Sequence, residues 1–282
     1  MRRGGQGVAA GIRASGSLGG RGAIPDMSGR GDEIGDLSLA LGDMTEALWR
    51  RLDAIERFAA DVSHEIKNPL TSLKSAVETA ARVQDPERQR KLMQVILDDV
   101  GRLDRLIADI SDASRIDAEL SREETHPTDI GRLLATLVDI HSAADSPEAP
   151  RLTLELATPA GLIVPALEDR LGQVFRNLIT NAISFSPPRG LIRIVAARRD
   201  GTVEVSVEDE GPGMPEDKIE KIFERFYSER PSGEKFGTHS GLGLSISRQI
   251  VTAHGGSVRA ENRRDAAGRV VGARFIVRLP IA

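Results

Sequence analysis

The residues whose types and spacing most clearly suggest a chemical reaction surround His64, which is one of five histidines in the sequence. Only His64 is followed directly by a carboxylate, Glu65, and then by Asn68 and Pro69 four and five places on. Proline lacks a backbone N–H and kinks a helix that continues through it, so the imidazole is expected beside a local irregularity. This combination suggests a nucleophile that accepts a phosphoryl group.

Two asparagines in the second half of the chain could hold a hard cation. Asn177 and Asn181 are four residues apart, so they share one face of a predicted helix. Asparagine is a poor helix former, and its amide oxygen can bind Mg²⁺, which also bridges phosphates. A pair of exposed or capping asparagines is the alternative interpretation.

Two glycine-containing loops could approach a nucleotide. Asp209, Gly211 and Gly213 follow a predicted strand, where the carboxylate could accept a hydrogen bond from adenine and the glycines could approach a flat ring. A plain turn would use the same residue types. Gly241 and Gly243 open a predicted helix, whose first amides and dipole suit anionic oxygens.

The segment from Phe223 to Tyr227 lies between these loops. Its aromatic residues could anchor the ends of a mobile lid, and Arg225 could face a phosphate. A short helix with packing aromatic side chains is the alternative.

Long helices are needed to position His64. Apolar residues from Ile34 onward follow a heptad seam, with a stutter of four extra residues at Leu48–Leu52. The seam predicts one helix over residues 34–81, roughly 70 Å long at about 1.5 Å per residue. Asp85 and Pro86 predict the start of a second helix. Its stripe is expected to consist of Leu92, Ile96, Val100, Leu103, Ile107, Ile110 and Ala113.

The two helices are expected to form a hairpin that dimerises into a four-helix bundle. A monomeric hairpin packed on the C-terminal domain is the alternative. Beyond a polar boundary at residues 121–128, helices and strands alternate, which predicts a two-layer α/β sandwich. The helices are predicted over residues 130–140, 168–185 and 242–253, and the strands over 152–156, 192–197, 203–208, 257–261 and 274–279.

Composition excludes several classes of protein. The net charge of −4 argues against a nucleic-acid binder, and the absence of cysteine excludes disulfides and thiolate metal sites. No apolar run reaches the roughly 18 residues of a membrane span, and no signal peptide is recognisable. The first 31 residues contain ten glycines and five arginines, which predicts a flexible segment.

Taken in order, these motifs resemble the H, N, G1, F and G2 boxes of bacterial two-component sensor histidine kinases. The resemblance covers the chain from Asp32 onward and implies a Bergerat-fold ATP-binding domain. The segment 32–37 resembles the second helix of a HAMP linker. The sequences 59–64 and 110–115 are similar to those of alphaproteobacterial envelope-stress or acid-sensing kinases. The expected domains are a flexible segment at 1–31, a HAMP-like signalling helix at 32–55, a dimerisation and phosphotransfer hairpin at 56–121, and a catalytic domain at 128–282.

The resemblance also implies a role for each motif residue. His64 is the phosphoacceptor, Glu65 is its acid–base partner, and Asn68 positions water for a reverse phosphatase reaction. In the nucleotide site the expected residues are Asn181 as the Mg²⁺ ligand with Asn177 beside it, Asp209 on adenine, Gly211 and Gly213 along the base, Arg225 near the phosphates, and Gly241 and Gly243 over the phosphates.

The implied activity is ATP- and Mg²⁺-dependent phosphorylation of a histidine, followed by transfer to an aspartate of a response regulator. The implied assembly is a homodimer, as the cytoplasmic part of an inner-membrane receptor whose membrane segment lies outside this chain. One position departs from the family: Ser184 stands where a lysine is common, so either phosphate binding is weaker or Arg176, Arg225 or Arg230 replaces its charge.

Three alternatives remain open from the sequence. They are a kinase fold that works mainly as a phosphatase, a non-catalytic signalling scaffold, and a related ATPase or serine-directed kinase. Intact Asn181, Asp209 and Gly241 argue against the scaffold, and His64 on a long hairpin argues against the last group.

Overall fold

The computed structural model describes residues 32–120, 122–142, 148–158, 161–227 and 240–281. The chain divides into two compact units, Met1–Ala60 and Asp61–Ala282. The flexible segment predicted for residues 1–31 lies outside the described residues, as do Arg230 and the range 237–239 of the second glycine loop.

Helix α1 spans Glu33–Ala80, within one residue of the predicted bounds. The Asp32 carboxylate accepts a hydrogen bond from the Gly35 amide at 3.2 Å and so caps the first turn. In the first unit the predicted seam is exposed in the single chain. Its exposed members are Ile34, Leu37, Leu41, Met44, Leu48, Leu52 and Ile55.

Helix α2 spans Pro86–Leu120 and completes the hairpin. Oδ1 of Asp85 accepts a hydrogen bond from the Glu87 amide at 3.0 Å, which confirms the predicted cap. Two members of the predicted apolar stripe of α2, Val100 and Ile107, are exposed in the single chain, as the seam residues of α1 are. The most buried face of α2 is turned relative to that stripe and consists of Asp99, Arg102, Leu106 and Ile116. None of the described helices is long and apolar enough to span a membrane.

The C-terminal domain contains a five-stranded sheet whose strands, in spatial order, are β2 Arg151–Leu156, β4 Leu191–Arg199, β5 Thr202–Glu208, β7 Val270–Pro280 and β6 Ser257–Arg264. Strand β2 is parallel to β4, and the other neighbours are antiparallel. Alternate residues of the central strands are buried, as expected for a sheet with one covered face.

Three helices contribute to the same hydrophobic core as this sheet, which confirms the predicted α/β sandwich. They are α3 Ile130–Ser142, α4 Glu168–Phe185 and α5 Gly243–Ala253. Helix α4 has the predicted bounds. The charged side chains of the sheet pair across strands, for example Arg278 with Glu204 at 2.7 Å.

A small second sheet was not predicted. Strand β1, His126–Asp129, pairs antiparallel with β3, Ile163–Ala166. Pro127 lies opposite Pro165 in this pair, and proline cannot donate to a ladder, so the sequence carries little strand signal there. The polar boundary predicted at residues 121–128 therefore includes most of a strand.

The C-terminal half of α2 packs on the sandwich. Leu106 and Ile116 belong to the hydrophobic core cluster of the domain. Arg170 on α4 pairs with Glu119, and Gln173 Nε2 donates to Asp112 Oδ2 at 3.0 Å. The hairpin and the domain that follows it are thus in polar and apolar contact within the second unit.

Candidate functional site

His64 is exposed on α1, while Glu65 is half-buried and turned toward α2. Oε2 of Glu65 accepts a hydrogen bond from Nη2 of Arg102 at 3.0 Å. Adjacent helical residues point about 100° apart, so the carboxylate faces the second helix of the hairpin while the imidazole faces outward. Asn68 is also exposed, and Pro69 is buried.

The proline lies inside a helix that continues past it. A proline at this position removes the N–H that would bond the carbonyl four residues earlier, which here is that of Glu65. Two residues after the proline, the Thr71 hydroxyl donates to the Lys67 carbonyl at 2.8 Å. The helix thus has an irregular hydrogen-bond pattern immediately after the candidate nucleophile.

Helix α4 positions the two asparagines through its buried face. Leu171, Phe175 and Leu178 are fully buried in the core. Asn177 Nδ2 donates to the carbonyl oxygen of Gly243 at 3.1 Å and contacts Ser247 Oγ at 3.4 Å. Asn181 is half-buried, and no hydrogen bond from its side chain to another described residue is present. Asn177 is therefore engaged with the start of α5, and Asn181 has its amide available. Ser184 lies half-buried in the last turn of the same helix.

Asp209 is 3% exposed at the end of β5. Its Oδ1 accepts hydrogen bonds from the amides of Gly211 at 2.8 Å and Ala273 at 3.0 Å. Burial raises the pKa of Asp209, and the two amides and the Arg263 guanidinium oppose that rise. Among the described residues nothing donates to Oδ2, which is therefore the acceptor that remains for a ligand.

The loop after Asp209 requires its glycines. A Cβ at Gly211 would lie 2.6 Å from the Phe185 carbonyl oxygen at the end of α4. Gly213 has φ of 74°, in the left-handed region that favours glycine. Gly211 lets the loop approach the end of α4, and Gly213 lets it approach Asn262 on β6. Hydrogen bonds from β6 hold the turn that follows.

Asn262 on β6 fixes that turn, and the sequence analysis missed it. Its Oδ1 accepts from the Met214 amide and its Nδ2 donates to the Met214 carbonyl, each at 2.7 Å. Gly272 on β7 was also missed: a Cβ there would overlap the carbonyl of Asp209. The sequence signal that could have identified these two residues is an asparagine and a glycine within strands, where both residue types are rare.

The segment around Phe226 and the second glycine loop are held together. Phe226 N donates to the Gly241 carbonyl at 2.9 Å, and a Cβ on Gly241 would lie 2.8 Å from the Phe226 Cα. Gly241 has φ of 73°. Phe223 ends a short 3₁₀ helix, Lys221–Phe223, and packs edge-on against Phe275, as the packing interpretation expected. Arg225 is exposed.

Ser240 links this loop to the hairpin and was missed by the sequence analysis. Its hydroxyl bonds the Asp109 carboxylate on α2, and Ser240 Oγ accepts from the Leu242 amide at 3.2 Å. Burial raises the pKa of Asp109, and the Ser240 hydrogen bond opposes that rise. The start of α5 is therefore in contact with both Asn177 of α4 and, through Ser240, with α2.

The order of these features defines a protein with a histidine-bearing helical hairpin followed by a nucleotide-binding sandwich. Residues 54–119 match the family model for the His Kinase A (phospho-acceptor) domain, and residues 166–282 match that for the histidine kinase-, DNA gyrase B- and HSP90-like ATPase. The chain belongs to the sensor histidine kinases of two-component systems.

Sensor protein ChvG of Rhizobium meliloti (strain 1021) is 53% identical over 264 residues, which are 91% of this chain and 46% of that protein. Sensor protein ChvG of Agrobacterium fabrum (strain C58) is 51% identical and covers 97% of this chain and 47% of its own length. The chain spans about half the length of the curated relatives it matches.

Among solved structures, histidine kinase ThkA in complex with response regulator protein TrrA aligns with a TM-score of 0.63 and 27% identity. The alignment covers 83% of this chain and 64% of the ThkA chain. Full-length ShkA in complex with AMPPNP aligns with a TM-score of 0.52 and 25% identity, over 80% of this chain and 46% of that one.

Proposed function

We propose that this chain is the ATP-dependent protein-histidine kinase portion of a sensor, which phosphorylates His64 and passes the phosphoryl group to an aspartate of a response regulator. The observation that carries the proposal is an exposed histidine on a hairpin in the same unit as the buried Asp209. Only one of the two carboxylate oxygens of Asp209 accepts hydrogen bonds from described residues. The membership of the chain in the sensor histidine kinases supports the same assignment.

The nucleotide site suits ATP by the chemistry of its donors and acceptors. Asp209 has one oxygen fixed by two amides, so the other can accept from the exocyclic amine of adenine. Gly211 and Gly213 bring backbone close to that position, and Gly241 and Gly243 stand at the start of α5, where amides and the helix dipole favour phosphate oxygens. The binding of AMPPNP by the similar kinase ShkA agrees with this choice of nucleotide.

Asn181 is the residue that would hold Mg²⁺, because its amide has no hydrogen-bond partner among the described residues. When bound, Mg²⁺ would neutralise phosphate charge, with one or two protein ligands and the rest from phosphates and water. Asn177 would support the site by holding the first turn of α5 against α4. Arg225, exposed beside the second loop, is the cation we assign to the phosphates in place of the family lysine.

The chemical step joins a ring nitrogen of His64 to the γ-phosphorus as the bond to the β–γ bridging oxygen breaks and ADP leaves. Glu65 accepts the proton that the imidazole releases, and Asn68, one turn on, positions water for the reverse reaction. Positioning of the two reactants and neutralisation of charge supply most of the rate.

We further propose that the hairpin dimerises and that a response-regulator receiver domain docks on it. Met93, Val100 and Ile107 are exposed and seven residues apart on α2, and Leu70 and Val77 repeat that spacing on α1. The complex of the similar kinase ThkA with TrrA supports the regulator as partner. In the full-length protein we place this portion in the cytoplasm, beneath a membrane-bound sensor, with residues 32–55 as the signalling helix.

A phosphatase-biased enzyme is the second candidate, and one observation favours it. Glu65 is held by Arg102 instead of lying free beside His64, which would slow proton removal from the imidazole. Asn68 is exposed and available for a water molecule.

The test is transfer from γ-labelled ATP with Mg²⁺, comparing the wild-type chain with His64→Gln. The expected result is an acid-labile, alkali-stable label that is absent from the variant. Absence of label with ATP still bound would favour the phosphatase, which a phosphorylated receiver domain as substrate would then reveal. Loss of ATP binding altogether would contradict both candidates.

A further inference from the structure

Two charged side chains are buried inside the hairpin and neither was assigned a role from the sequence. Among the described hairpin residues of the second unit, Asp99 and Arg102 are the only buried polar ones, at 6% and 8% exposure. They are three residues apart on α2, so their side chains are neighbours on one helix face. Buried charges are costly unless they are paired, which calls for an explanation of both.

Arg102 has a partner, and that partner is the candidate acid–base residue. Its Nη2 donates to Glu65 Oε2 at 3.0 Å, with side-chain exposures of 10% and 25%. The pair crosses between the two helices and so holds the Glu65 carboxylate toward α2. A carboxylate held in this way is turned away from the exposed imidazole of its neighbour, His64.

Asp99 lacks the partner that Glu65 has. Its Oδ2 is buried and has no hydrogen-bond partner among the described residues. Arg102 thus bonds Glu65, while Asp99, three residues before Arg102 on the same face of α2, keeps a buried oxygen without a hydrogen bond. A change of the Arg102 rotamer toward Asp99 would satisfy the buried oxygen and release Glu65 at the same time.

We propose that Arg102 is a positioning residue that exchanges between Glu65 and Asp99, and that Asp99 is needed to free Glu65 for its work on His64. The inference rests on the proposed kinase function and deepens it. Transfer to His64 requires Glu65 to leave Arg102, take the imidazole proton and later return it. Asp99 makes that departure possible because the guanidinium remains paired inside the hairpin when Glu65 leaves.

The first test is Asp99→Asn, with Asp98→Asn as the matched control, since Asp98 is the neighbouring aspartate and is exposed. We expect Asp99→Asn to slow labelling of His64 by about tenfold, a part of the roughly 100-fold or more that acid–base catalysis supplies. The KM for ATP should stay unchanged, and the melting temperature should be unchanged or higher, because a buried unpaired charge has been removed. Asp98→Asn should label at the wild-type rate.

The second test separates positioning from a structural role. Adding Arg102→Met to Asp99→Asn removes the competing guanidinium and leaves Glu65 free, so the double variant should label faster than Asp99→Asn alone. A purely structural role for Arg102 predicts a slower double variant. A wild-type rate in Asp99→Asn, or no recovery in the double variant, would overturn the inference. A wild-type chain that takes no label on His64 would defeat the kinase function, and this inference with it.

Discussion

Asn177 on α4 donates its side-chain N–H to the carbonyl oxygen of Gly243, 3.1 Å away in the first turn of α5. The same amide group contacts the hydroxyl of Ser247, which itself donates to that carbonyl at 2.8 Å. Asn181, one turn further along α4, makes no such bond among the described residues. Two asparagines four residues apart on one helix therefore differ in their contacts: Asn177 joins two helices, and Asn181 is the residue we propose as the Mg²⁺ ligand.

Replacement of these two asparagines should separate stability from metal binding. Asn177→Ala removes a bond between helices and should lower the free energy of unfolding by about 1 kcal/mol, with nucleotide affinity falling as α5 loosens. Asn181→Ala should change the free energy of unfolding by less than about 0.5 kcal/mol and abolish the Mg²⁺-dependent part of nucleotide binding. Denaturant unfolding and titration with a fluorescent ATP analogue, with and without Mg²⁺, measure both. Equal effects of the two changes on stability would contradict this division.

Asp209→Asn should lose ATP binding while the fold is retained. Asparagine can still accept the two amide hydrogen bonds through Oδ1, but it presents an N–H where adenine needs an acceptor. Because burial raises the pKa of Asp209 in the folded state, the native chain binds this proton more tightly than the unfolded chain. The aspartate therefore destabilises the fold increasingly as pH rises from its ordinary value of 3.8 through the raised one.

The pH dependence of stability provides a control for this prediction. Asp209→Asn should gain stability relative to the wild type as pH rises through that window, and the gain should level off above it. Thermal unfolding of both proteins between acid and neutral pH measures the difference. A variant that weakens steadily relative to the wild type as pH rises would show that the charged form of Asp209 is favoured by the fold.

The fold was predictable where one periodicity dominated the sequence. Helix α4 was placed over its observed bounds because its apolar residues repeat at helical spacing and Asn177 does not interrupt them. Strands β1 and β3 were not predicted, because each contains a proline, Pro127 or Pro165, and proline has no backbone N–H to donate to a sheet. The turned face of α2 was also missed, because a buried Asp99 and Arg102 have the residue types of a solvent-exposed face.

The site was predictable in its motifs and not in its contacts. Spacing placed Asn177 and Asn181 on one face, but only the packing of α4 against α5 distinguishes their roles. Asn262 and Ser240 are remote in sequence from the groups they hold, so no local pattern could identify them. The orientation of Glu65 away from His64 likewise depends on a residue of the other helix.

His254→Leu should destabilise the sandwich without touching the candidate site residues directly. The buried imidazole accepts from the Leu167 amide at 3.0 Å through Nε2, and its Nδ1 bonds the Ile250 carbonyl at 2.8 Å. Leucine leaves the Leu167 N–H at the start of α4 without that acceptor, which should cost about 1–3 kcal/mol of unfolding free energy. Denaturant melts measure the loss, and replacement of the exposed His126 by leucine, which should leave the melt unchanged, serves as the comparison.

Ile107→Glu should break the proposed dimer of the hairpin. Ile107 is 55% exposed in a single chain and lies seven residues after Val100, so a dimer would bury it in a seam with its counterpart. Two glutamates opposed in an apolar seam would each lose hydration, which disfavours association by several kcal/mol. Light scattering at a series of protein concentrations should show the wild-type chain at twice its monomer mass and the variant at the monomer mass of 30.4 kDa. Ala108→Glu, an exposed neighbour outside the heptad spacing, should remain dimeric. If Ile107→Glu and Ala108→Glu have the same mass, the seam is not the interface, and the exposed apolar residues of α2 need another explanation.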